Sequence, residues 1–134
     1  MASSPLTTRV IYSDIFTDFD AHPITGQILR KTNVDAVKQS IKNIILTDKG
    51  ERLFNPDFGG NIRALLFENA TPHSILTVRE MLISAIETYE PRADIIDVVI
   101  ATTSQEHTVN VSIVFKVINV KDPITLDVVL ERVR

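Results

Sequence analysis

Three kinds of residue in this 134-residue chain could do chemistry: scattered histidines, several carboxylates, and a Glu90-Pro91-Arg92 tripeptide. His22, His73 and His107 stand alone, with no second histidine within a helical turn, so the close ligand spacing of a zinc site is missing. A glycosidase needs little more than two acids across a cleft, and Glu51, Asp57, Glu68, Glu87 and Glu90 are candidates. With no Trp and two Tyr, and with the apolar residues committed to helices and strands, little is left to line a sugar cleft. These acids therefore read as caps, ion-pair partners or solvated faces. Gly59-Gly60 is not followed by Lys-Ser/Thr, which removes a phosphate-cradling loop, and no Gly-x-Ser-x-Gly elbow occurs. The tripeptide differs in kind. Pro91 ends any helix running through Tyr89 and fixes an opposite charge on each side of a stiff corner, which suits docking.

The elements that position these residues follow from periodicity. Val34, Val37, Ile41, Ile44 and Ile45 recur at helical spacing, with Asp35, Lys38, Gln39 and Lys42 outward. Thr32 or Asn33 can cap that helix, and Gly50 is expected to close it. The loop from Gly50 to Gly60 is built from turn residues but holds Leu53, Phe54 and Phe58, which are expected to pin it to the core. A short helix over 62–67 follows. Thr71-Pro72 opens a second long helix, whose stripe is Ile75, Val78, Leu82, Ile86 and Tyr89.

Beyond Pro91 the period changes to two. Ile96, Val98 and Ile100 form one inward set; Val109, Val111, Ile113, Phe115 and Val117 a second; Ile124, Leu126, Val128 and Leu130 a third. Turns over 104–106 and 119–123 are short enough to join antiparallel neighbours. The expected fold is α+β, two-layered: helices packed on a small antiparallel three-stranded C-terminal meander. Residues 1–32 read as an extended or loosely ordered N-terminal arm with a hairpin turning near Pro23 to Gly26, and residues 33–134 as a single α+β domain. Such a sheet has edges that can accept a strand from another chain.

Composition narrows the function. Apolar residues are 44% of the chain, net charge is −3, and Lys and Arg are dispersed, which argues against a nucleic-acid or anionic-membrane surface. The absence of cysteine excludes disulfides and thiolate chemistry. The start has no apolar segment of signal-peptide length, so a cytosolic protein, or one in a particle assembled there, is expected. No cofactor, metal or small-molecule substrate is expected.

The ordered set Thr47-x-Lys49-Gly50-Glu51-Arg52, Pro56-x-Phe58-Gly59, Leu66-Phe67-Glu68, Thr71-Pro72 and, one helix later, Glu90-Pro91-Arg92 resembles the baseplate wedge protein family of T-even-type contractile phage tails. That family includes the E subunit of the type VI secretion baseplate and the W proteins of P-two-type phages. The resemblance spans about residues 33 to 133. It implies a non-enzymatic structural component of a contractile injection machine, a phage tail in the first place, located in the virion tail baseplate and assembled in the host cytoplasm. Its implied partners are other baseplate wedge subunits and the tail sheath protein. Glu90, Pro91 and Arg92 would bind the wedge core. Gly50, Glu51, Arg52, Pro56, Phe58 and Gly59 form the loop motif, structural or partner-facing. The strand holding Ile124, Leu126, Val128, Val129, Leu130 and Glu131 would be the sheath-facing edge, templating the first sheath ring by strand addition. The alternatives are a regulatory adaptor on the same fold and a lysozyme-like muralytic enzyme.

Overall fold

A computed structural model of the chain describes residues 13–15, 21, 23–27, 30–67, 70–103, 107–118 and 120–132. Glu68, His22, Val133, the turn at 104–106 and Asn119 lie outside the described residues. Along the chain come β1 (Ser13–Ile15), β2 (Arg30–Thr32), α1 (Asn33–Leu46), α2 (Ala64–Phe67), α3 (Pro72–Tyr89), β3 (Ala93–Thr103), β4 (Thr108–Val117) and β5 (Ile124–Glu131). β3, β4 and β5 form the expected antiparallel meander in that spatial order, and the helices cover one face of it. β1 and β2 pair antiparallel as a separate two-stranded ribbon, with turn residues at Pro23–Thr25 between them. Among the described residues the ribbon forms no ladder with the larger sheet.

The core is where the periodicities meet. Val37, Ile41, Ile44 and Ile45 of α1 and Val78, Leu82, Ala85 and Ile86 of α3 lie buried over Val109, Val111, Ile113, Phe115 and Val117 of β4. β4 is the central strand, so each of its inward residues is covered from both sides. α3 begins as its residues dictate: Thr71 accepts from the Ser74 N–H at 3.1 Å, the Ser74 hydroxyl accepts from the Thr71 N–H at 2.9 Å, and Pro72 occupies the first turn.

Three expectations change. β3 starts at Ala93, and a bulge between Ile95 and Asp97 places Ile95 opposite Phe115 but Asp97 opposite Val114. The extra residue is Ile96, which is 59% exposed, while Ala93, Val98 and the half-buried Ile95 and Ile100 face the helices. One inserted residue shifts the alternation by one, and a period-two reading cannot show it. Gly50 does not close α1, which ends at Leu46; its N–H donates instead to the Pro56 carbonyl at 2.8 Å. The end of α1 is satisfied by the returning loop, whose Gly60 N–H lies 3.0 Å from the Ile44 carbonyl and 3.2 Å from that of Thr47. Finally, Phe58 is buried, but Leu53 and Phe54 are fully in solvent at 92% and 101% exposure. One aromatic residue and the backbone bonds hold the loop without them.

The loop's return depends on Gly59. Its φ of +128° lies where side chains are strained, and an added Cβ would meet the Thr47 carbonyl oxygen at 2.3 Å. Gly59→Ala should therefore destabilise the chain by about 1–3 kcal/mol. Urea unfolding followed by circular dichroism checks this, and an unchanged midpoint would show that the loop does not bear on α1.

Candidate functional site: the Glu90–Arg92 corner and the open sheet edge

The last turn of α3 delivers Glu90 into the interior: its N–H donates to the Ile86 carbonyl at 2.8 Å, and its side chain is 2% exposed. Pro91 turns the chain outward, and Arg92 folds back so that its guanidinium grips the carboxylate through both oxygens. Nε donates to Oε1, and Nη2 to Oε2 at 2.7 Å. Ser40 of α1 adds a side-chain hydrogen bond to Glu90, and Asp14 of β1 lies 3.6 Å from Arg92 Nη2. Burial alone pushes the Glu90 carboxyl up. The hydrogen bonds from Arg92 and Ser40, with the Arg92 charge, outweigh it and hold the group below the ordinary 4.5. The same pairing, against a smaller effect of burial, raises Arg92 further. The sequence expectation of a charged corner for docking is thus divided: Glu90 is consumed inside the chain, and Pro91 and the quarter-exposed Arg92 form the outer part.

The loop motif adjoins this corner. Phe58 packs edge-on against Tyr89 with ring centroids 4.9 Å apart, and Tyr89 Oη is 3.3 Å from Asn55 Oδ1. Arg52 stacks its guanidinium 3.8 Å from the Phe58 ring centroid. Arg63 reaches Glu51 at 3.4 Å and Asp48 at 3.6 Å. Burial, joined by the Glu51 charge and opposed by Arg63, raises the Asp48 carboxyl. Gly50, Glu51, Arg52, Pro56, Phe58 and Gly59 all therefore shape the loop, and beside exposed Glu51, Arg52, Pro56 and Asp57 it displays the apolar pair Leu53 and Phe54. No sequence period marked those two as outward. Their place among turn residues, away from any stripe, was the available signal.

The sheet's two edges differ. On β3, Arg79 of α3 reaches over the edge: its Nε donates to the Val98 carbonyl at 2.7 Å and its Nη2 meets Asp97 Oδ1 at 3.2 Å, while the Val98 N–H donates to Asp97 at 2.8 Å. Both outward backbone groups of Val98 are occupied, and the bulge at Ile96 breaks the ladder beside them. Bulges and charged side chains at an edge are the usual means of stopping strand addition. Nothing in the sequence reading had marked Arg79.

The pairing pattern identifies the free groups of β5. The Arg132 N–H donates to the His107 carbonyl at 3.0 Å, flanking the pair Thr108–Glu131. Bonded and non-bonded pairs alternate from there, so Thr125, Asp127, Val129 and Glu131 turn their N–H and C=O away from β4. Among the described residues no strand pairs with that edge. Ile124 and Leu126, on the helix-facing side, stay only partly covered.

As for the carboxylates, Glu90 and Glu51 are held in ion pairs and Asp57 and Glu87 are exposed. A groove of about 490 Å³ between the loop and α3 is lined by Lys49, Asp57, Glu80, Met81, Ser84 and Tyr89, among others. Among the described residues no group of three or more His, Asp or Glu side chains is placed to hold a metal ion, and no helix is long and apolar enough to cross a membrane.

If the Glu90 pair holds the corner together, its stability has a definite pH window. The folded-state pKa is depressed, so the contribution is present above the unfolded value near 4.5 and is lost as pH falls through the folded value. Glu90→Gln should cost about 3 kcal/mol at pH 7, the low end for breaking a buried pair because Arg92 keeps some water and Asp14. In denaturant unfolding, the gap between parent and variant should narrow below pH 4.5. A gap constant from neutral to acid pH would show that pairing contributes nothing.

Known proteins share the sequence pattern and the fold. A family model described as baseplate wedge protein gp25 matches residues 31–121. The baseplate wedge protein gp25 of Enterobacteria phage T4 is 36% identical over 114 residues, which are 85% of this chain and 86% of that protein. Among solved structures, a chain of the anti-feeding prophage baseplate superposes with a TM-score of 0.69 at 28% identity, covering 83% of this chain and 89% of its own. A Geobacter sulfurreducens protein provisionally described as a tail lysozyme shares the fold, with a TM-score of 0.63 at 22% identity over 73% of this chain and 89% of its own.

Proposed function

The chain belongs to the baseplate wedge protein gp25 family, and from that premise we propose that it is a non-enzymatic structural part of the baseplate of a contractile injection machine, a phage tail first of all. In this reading it resides in the virion tail baseplate, assembled in the host cytoplasm. It docks on the other wedge subunits through one surface and starts the tail sheath through another.

The docking surface is the corner with its neighbouring loop: Pro91, Arg92, Leu53 and Phe54. Glu90 acts there by fixing Arg92 rather than by touching the partner. Covering Leu53 and Phe54 would contribute about 1.5–3 kcal/mol each before the cost of association. The sheath surface is the β5 edge. The single observation that carries this reading is the asymmetry of the sheet: β3 is interrupted by its bulge and strapped at Val98 by Arg79 and Asp97, while Thr125, Asp127, Val129 and Glu131 offer an unbroken row of backbone groups that no described strand pairs with. Strand addition uses such groups, with alternate side chains tuning the fit.

Val129→Pro tests it. The Val129 N–H faces away from β4, so proline there leaves the internal ladder intact and removes a donor from the free edge. Baseplates carrying the variant should assemble and yet leave naked tubes in electron micrographs. Full-length sheaths on them would rule out β5 as the template.

A lysozyme-like activity has weak support, because two of the four described candidate acids are tied into the fold. Purified protein should leave the turbidity of a peptidoglycan suspension unchanged. Clearing that a Glu90→Gln variant of normal fold fails to produce would overturn the structural reading.

A further inference from the structure

The acids on the solvent face of the sheet are not treated alike. Asp97 is paired with Arg79 at 3.2 Å, and Asp94 sits opposite Lys116 in the ladder. On β5, the cross-strand neighbours of Asp127 and Glu131 are Ser112 and Thr108, and one row further Val99 and Thr103. Asp127 accepts a hydrogen bond from the Ser112 hydroxyl at 2.6 Å, which fixes its carboxylate on that face. Among the described residues no cation lies within ion-pair distance of either acid. Among the described acids of that face, the two that border the open edge are the ones with neither a cation opposite them in the ladder nor an ion pair. On the opposite face of the same strand, Ile124 and Leu126 remain half-covered while Val128 and Leu130 are buried.

We infer that the strand received at the β5 edge is amphipathic in a fixed register: apolar side chains beside Ile124 and Leu126 toward the helices, and lysine or arginine beside Asp127 and Glu131 on the outer face. The inference rests on the reading of β5 as the accepting edge and specifies its partner. Directly opposed unlike charges stabilise a strand pair and like charges destabilise it. The two acids therefore favour a basic strand and disfavour those antiparallel registers of β5 on β5 of a second copy that would set Asp127 against Glu131.

Baseplates assembled with the full chain, with Asp127→Lys/Glu131→Lys, with Asp127→Asn/Glu131→Gln and with Val129→Pro separate the possibilities. The readout is the concentration of sheath protein at which half of the baseplates carry sheath in micrographs, at low salt and at about 0.5 M, where the screening length is only a few ångströms. Charge reversal should raise that concentration about tenfold at low salt, neutralisation less, and both differences should close at high salt. Val129→Pro should block sheath at either salt. If charge reversal behaves as the parent while Val129→Pro blocks, the charge inference falls and the edge reading stands. If reversal blocks equally at both salts, the effect is not electrostatic and the inference also falls. Sheaths on all variants would overturn the edge reading itself.

Discussion

A carboxylate taken out of water has to be paired, and in this chain that single requirement gathers the architecture. Glu90 is held by Arg92 two residues on, by Ser40 from α1 and, through Arg92, by Asp14 of the N-terminal ribbon. The last residue of α3's cap, the first of the sheet's approach and two more distant segments thus share one charge. An apolar residue at position 90 could fill the same space but would leave Arg92 without the fork that aims it. The pair gives direction to a side chain at the surface from a fixed point in the core.

The sheet shows a similar economy of means. Helix α3 buries its stripe on the inward face and, one residue beside Val78, sends Arg79 around the rim to occupy Val98. The same helix that builds the core therefore also blocks the β3 edge at Val98. The bulge at Ile96 reinforces that block by breaking the regular spacing a new strand would need.

Much of this was legible in the residues. The helix opening at Thr71-Pro72, the stripes of α1 and α3, and the alternation of β4 and β5 all obey rules in which near neighbours decide the outcome, and they appear as expected. What escaped depends on residues far apart. Ile96 reads inward by period but is displaced by a bulge set by its pairing with β4. Leu53 and Phe54 are as apolar as Phe58, and contacts such as that with Tyr89, 31 residues later than Phe58, select which one is buried. The wedge-binding expectation for Glu90 could not include its burial, because Ser40 and Asp14 lie in other segments. The order of motifs across the chain carried the family where single residues did not.

The hydrogen bond between the Gly50 N–H and the Pro56 carbonyl draws the loop's neck shut before its tip begins. Below the neck, Phe58, Gly59 and Gly60 fasten the chain to α1 and α3; above it stand Leu53 and Phe54, which the core does not use. Glu51, Arg52 and Asn55 between them are tied to Arg63, Phe58 and Tyr89, so positions 53 and 54 are the ones left to the solvent. Selection can therefore change those two side chains while the scaffold stays as it is, so that one architecture can be fitted to different neighbours at one exposed point.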